Sequence, residues 1–71
     1  MDTVETREKV SKMLWGIIRM TQKRQIQIAK ELGINKTTIS QYITKAKTPS
    51  LQNYLKIQNM YETLRSTRKN T

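Results

Sequence analysis

A lone glycine, Gly33, separates two runs of helix-forming residues in the stretch QIQIAKELGINKTTISQYITKAKTP, Gln25 to Pro49. It follows Leu32 at a point where a left-handed backbone closes the last turn of a helix without steric cost. Before it, Ile28, Ala29 and Leu32 supply an inward face. After it come apolar Ile34, then Asn35, a favoured N-cap, and a third helix carrying Ile39 with Tyr42 or Ile43 on a narrow buried stripe. Counted from Gln25, apolar or small residues fall at the fourth, fifth, eighth, tenth, fifteenth and eighteenth places, with Gly33 ninth. This pattern suits two helices that cross at a wide angle over a tight turn, locked from below by apolar side chains. A simple αα-hairpin is the plainer alternative, and the spacing argues against it.

The flanking segments are helical as well. Between Val4 and Met20 the residues Val10, Met13, Leu14, Ile17 and Ile18 recur at three- and four-residue spacing, with acids early and bases late. Trp15 falls off that stripe, as an aromatic covering an edge or as a partner contact. Thr21 is one candidate cap for the second helix, and a start nearer Arg24 competes with it. TKAKTPS breaks the periodicity, and Pro49 fits at or near the first turn of the next helix. From Leu51 to Arg65 a fourth helix shows Leu51, Tyr54, Ile57, Tyr61 and Leu64 along one side, with Leu55 and Met60 off its centre. The expectation is an all-α, compact four- to five-helix bundle, with one domain over residues 1–65 and a basic, disordered tail over 66–71. At 71 residues its core supports about 3–5 kcal/mol of stability.

Charge narrows the partners. Fourteen Lys and Arg against five Asp and Glu give a net charge of +9. Between Lys9 and Tyr61 the only acid is Glu31, against ten bases, so the body of the domain is cationic and polyanions are the favoured partners. The chain has no cysteine and no histidine, which removes disulfides, thiolate or imidazole metal sites and the usual nucleophile arrangements. Five carboxylates and no glycine-rich phosphate loop leave no acid/base pair for an enzyme. No cofactor and no small-molecule ligand are expected. No apolar run reaches the length of a membrane span and no signal peptide is visible, so the expected location is the cytoplasm.

With these residues in view, QIAKELGINKTTISQY resembles the helix-turn-helix core of the lambda-repressor-like family, the Cro and repressor type. AKTPSLQNYLKI is similar to the stretch that opens that family's fourth helix. The resemblance runs from Gln25 to about Leu64 and implies double-stranded DNA binding. It spans phage, plasmid and chromosomal regulators alike. It implies that Gln25 binds a phosphate and braces the recognition helix. It also implies that Lys36, Thr37 and Gln41 meet base edges, with Ser40 and Thr44 on the same exposed side, and that Ile39 belongs to the core.

Residue chemistry supports the same roles. Lys donates to guanine O6 or N7, Gln pairs with adenine N6 and N7, and a Thr methyl packs on thymine. Lys23, Arg24, Lys45 and Lys47 flank the reading helix, where they can meet the sugar-phosphate backbone that sets register. The chain departs from the family at Lys45, where many members have glycine: the turn either holds a strained lysine or takes another path.

The leading expectation is a homodimeric regulator, most simply a repressor, reading a two-fold operator with half-sites about 34 Å apart. Tyr61 and Leu64 are the candidate dimer surface, with Trp15 in reserve. An initial Met and a complete small domain favour a stand-alone factor. The alternative is a DNA-binding accessory factor in recombination, transposition or phage and plasmid DNA handling. A cationic membrane-surface bundle fits poorly, because the bases do not form one polar face opposite a wide apolar one.

Overall fold

The computed structural model describes residues 3–69, with side chains over 4–66. Four helices follow in order: α1 (Thr3–Thr21), α2 (Gln25–Leu32), α3 (Lys36–Ile43) and α4 (Leu51–Lys69). The two long helices α1 and α4 lie against each other, and the short α2 and α3 pack on them. α4 continues through residues 66–69, which extends it beyond Arg65 into the segment expected to be a disordered tail. Residues 70 and 71 of that expected tail lie outside the described residues.

The core draws on every helix. Val10, Leu14 and Ile17 enter from α1, Ile28, Ala29 and Leu32 from α2, Ile39, Tyr42 and Ile43 from α3, and Ile34 from the turn. Both Tyr42 and Ile43, between which the sequence left the choice open, are buried. From α4 only Ile57 is fully buried, while Tyr54, Tyr61 and Leu64 are partly so. Leu51, expected on that inward stripe, is instead 68% exposed. Steps of three residues turn about 300° around a helix, so 51, 54 and 57 drift round it and place Leu51 about 120° from Ile57.

Three helix ends close through left-handed residues, and only one is glycine. Gln22 (φ 56°) ends α1, Gly33 (φ 70°) ends α2 and Lys45 (φ 66°) ends α3. At α2 the Gly33 N–H donates to the Lys30 carbonyl at 3.3 Å and the Ile34 N–H to the Ala29 carbonyl at 3.0 Å. This is a Schellman closure with its apolar clasp, since Ala29 and Ile34 are both buried. At α1 the Gln22 N–H reaches the Ile18 carbonyl at 2.7 Å, the simpler left-handed closure.

The helix starts are equally specific. Thr21 does not cap α2; it is the last residue of α1, and its hydroxyl donates to the Ile17 carbonyl at 2.7 Å. Arg24 stands before Gln25 instead, and its N–H donates to Gln27 Oε1 at 3.4 Å. Arg24 has only donors on its side chain and cannot cap in the usual way. At α3 the Asn35 Oδ1 accepts from the Thr37 N–H at 2.8 Å, the cap read from the sequence. At α4 the cap is Ser50, whose Oγ accepts from the Asn53 N–H at 3.2 Å; Pro49 is buried just before it, outside the helix.

Candidate nucleic-acid interface

α3 is held on one side and open on the other. Ile39, Tyr42 and Ile43 anchor it in the core. Thr37, Gln41 and Thr44, spaced by four and three residues, fall on the opposite side. Thr37 and Thr44 are exposed, and Gln41 is half-buried. Lys36 is exposed in the first turn, and half-buried Ser40 lies on the flank. The hydroxyl of exposed Thr44 donates back to the Ser40 and Gln41 carbonyls at 3.1 and 3.2 Å. Buried apolar anchors on one side leave a short array of polar side chains, with donors, acceptors and methyl groups, on the other side of this helix.

Its position is fixed by contacts from outside the two short helices. Ser11, buried in α1, donates its hydroxyl to the Ile43 carbonyl at 2.8 Å, closing the last turn of α3. Arg7 Nη1 donates to the Lys45 carbonyl at 3.4 Å one step further on. From the other side, Asn53 Nδ2 of α4 donates to the hydroxyl of buried Tyr42 at 3.0 Å. Neither Arg7 nor Ser11 was singled out from sequence. A serine on the apolar stripe of α1, one place after Val10 and three before Leu14, was the available signal.

The turn after α3 resolves the question raised by Lys45. The backbone takes the left-handed path with lysine in place: the Lys45 N–H donates to the Tyr42 carbonyl at 3.2 Å, and the Ala46 N–H to the Gln41 carbonyl at 2.8 Å. Lys45 and Lys47 are both exposed beyond it.

The proposed phosphate-facing residues divide between the two ends of α3, about 12 Å apart for eight residues. At the start, Lys23, Arg24, Gln25 and Lys36 line one groove together with Trp15, Ile18 and Ile26. At the end stand Thr44, Lys45 and Lys47. Lys23 is also held by Glu31 in the only ion pair among the described residues, with both side chains about half exposed. That pair uses the single acid between Lys9 and Tyr61. Arg24, Lys36, Lys45 and Lys47 remain exposed near the two ends of α3.

Of the expected dimer residues, Tyr61 and Leu64 are partly buried against the core. Tyr61 lies close to Gly16 of α1, and the Arg65 guanidinium lies over its ring, 5.5 Å from the centre. Trp15 is 50% exposed, in the groove beside α2 and α3.

Two short helices crossing over a glycine turn, with the second one's polar side open and cations at both its ends, define a helix-turn-helix DNA-binding protein. The helix-turn-helix family model matches residues 18–63, more than half of the chain, and the protein belongs to that Cro/repressor-type family of DNA-binding regulators. No curated protein and no solved structure matches the chain. Among the described residues no helix is long and apolar enough to cross a membrane.

Proposed function

We propose that the protein is a sequence-specific regulator that reads a two-fold operator as a homodimer and represses by occupying a promoter. The observation that carries this reading is the face of α3 formed by Thr37, Gln41 and Thr44, with Lys36 and Ser40 at its margin, on a helix whose other side is locked in the core. Lys36 and Gln41 offer bidentate donors and acceptors to purine edges, Ser40 a hydroxyl to either strand, and Thr37 a methyl group to thymine. Gln25, Arg24, Thr44, Lys45 and Lys47 meet the backbone at either end and set the register. Lys23 joins them after exchanging Glu31 for a phosphate.

A single α3 covers only a few base pairs, so two copies are needed for useful specificity. We place the second copy against α4, where Leu51 and Leu55 stand one turn apart, 68% and 46% exposed. Tyr61 and Leu64 lie on the Ile57 side of α4, turned away from this pair. Selection of bound duplexes from a random pool tests the reading: an inverted repeat with centres about 10 base pairs apart is expected. A pool that returned no enriched motif would reduce the protein to a nonspecific DNA binder.

A further inference from the structure

Trp15, the reserve candidate for a dimer contact, is an exposed residue of α1. It shares a groove with Ile18, Lys23, Arg24, Gln25, Ile26 and Lys36, which joins the middle of α1 to the first residues of α2 and α3. Trp15 is 50% exposed and Ile26 44%, so two large apolar side chains face solvent within a ring of cations. An apolar patch left open on a small domain marks a contact surface. The surrounding charge says what kind.

A second copy of this chain would bring the same cations to the same place and be repelled. A polyanion with apolar stretches between its charges fits instead. The backbone of duplex DNA has this form, with a deoxyribose, mostly C–H on its exposed side, between successive phosphates. Lys36, which begins the reading helix, lines the groove itself, so the patch is continuous with the proposed base-reading face.

We infer that Trp15 and Ile26 form an apolar floor that packs on a deoxyribose of the operator's flank, while Arg24 and Lys23, the latter exchanging Glu31 for a phosphate, grip the phosphates on either side. The inference rests on the DNA-binding reading above and adds a contact from α1, outside the two helices of the motif. The indole combines a broad apolar surface with one N–H donor, which can point to a phosphate oxygen. Because sugars and phosphates are the same at every base pair, Trp15 contributes to affinity and register and leaves base preference untouched.

Trp15 is the only tryptophan in the chain, so its emission reports this groove alone. The test titrates the whole protein with a dye-labelled, mixed-sequence duplex of about two helical turns at about 50 mM salt, reading dye anisotropy and tryptophan emission together. Emission is expected to change in step with anisotropy, and acrylamide quenching of Trp15 to fall by about half or more as the groove closes. Trp15→Ala, with folding checked by circular dichroism, should weaken binding of selected and mixed duplexes alike by about tenfold. Trp15→Phe should recover part of that loss.

Anisotropy that rises while emission and quenching stay constant would overturn the inference and leave DNA binding intact. No rise in anisotropy would instead remove the DNA-binding reading, and the inference with it. Emission that changes with protein concentration before DNA is added would assign the groove to a second copy. A single-stranded oligonucleotide that perturbs Trp15 more than the duplex would assign the indole to base stacking and contradict packing on the sugar.

Discussion

Gly33 and Lys45 hold the same backbone conformation, φ 70° and φ 66°, in the same hydrogen-bonded turn at the ends of α2 and α3. One is the residue such a turn favours; the other carries a side chain that crowds its own carbonyl. The first turn sets the crossing of the two helices. The second points the chain from α3 into the basic segment before α4.

These two positions should therefore respond oppositely to the same kind of change. Lys45→Gly relieves the left-handed strain and is expected to raise stability by about 0.5–1 kcal/mol, while Gly33→Ala lowers it by about 1 kcal/mol. A Cβ on Gly33 would meet nothing closer than Lys56 Nζ at 3.9 Å, so the backbone alone sets that cost. Urea unfolding of both variants measures it. The Gly variant at 45 should also bind DNA more weakly at all sequences, with a shallower salt dependence, because one backbone cation is gone.

Ser11 tests whether α1 holds the end of the reading helix. Its hydroxyl serves the Ile43 carbonyl in a buried position, and Ser11→Ala leaves that oxygen without this partner. A loss of about 1–3 kcal/mol is expected in thermal or urea unfolding. Stability unchanged within about 0.5 kcal/mol would mean that α1 does not brace this turn.

Gly16 has a different reason to be glycine. A Cβ built there lies 2.6 Å from Tyr61 Cε1, so α1 and α4 approach closely at this point. Gly→Ala within a helix ordinarily stabilises by about 0.5–1 kcal/mol. Here the overpacking of about 1–3 kcal/mol should win, and Gly16→Ala should destabilise. In a Tyr61→Ala background the sign should reverse, which a double-mutant cycle reads directly.

Much of this arrangement is legible in the sequence where spacing and special residues agree. The α1 stripe, the Asn35 cap, the Gly33 turn and the burial of Ile28, Leu32 and Ile39 follow from periodicity and from what a helix end requires. At Lys45 residue preference and turn geometry disagree; the left-handed turn forms with its own two backbone hydrogen bonds, and Ser11 and Arg7 bond to the carbonyls of Ile43 and Lys45 beside it. Leu51 was misplaced because three-residue spacing rotates around the helix over two turns. Thr21 as a cap lost to a longer α1, whose closure at Gln22 uses a left-handed residue that carries no sequence signature. No spacing rule links Trp15 to Lys36, 21 positions away, so the groove they share becomes visible only in three dimensions.

The proposed dimer surface can be probed without disturbing the core, since Leu51 and Leu55 are exposed. Leu51→Asp with Leu55→Asp should leave the thermal unfolding of the free protein little changed. It should also abolish cooperative filling of the two half-sites in a DNA titration followed by analytical ultracentrifugation. Retained cooperativity would move the contact to another face.

The most direct test of α3 as the reading head is a paired selection of random duplex DNA, once with the native protein and once with Gln41→Ala. The account predicts the same inverted repeat in both, with preference lost at one symmetry-related base position and a cost there of about 1–3 kcal/mol. Identical motifs from the two proteins, with the preference at every position unchanged, would contradict it, because a helix that reads bases through Gln41 cannot lose that side chain without losing a letter.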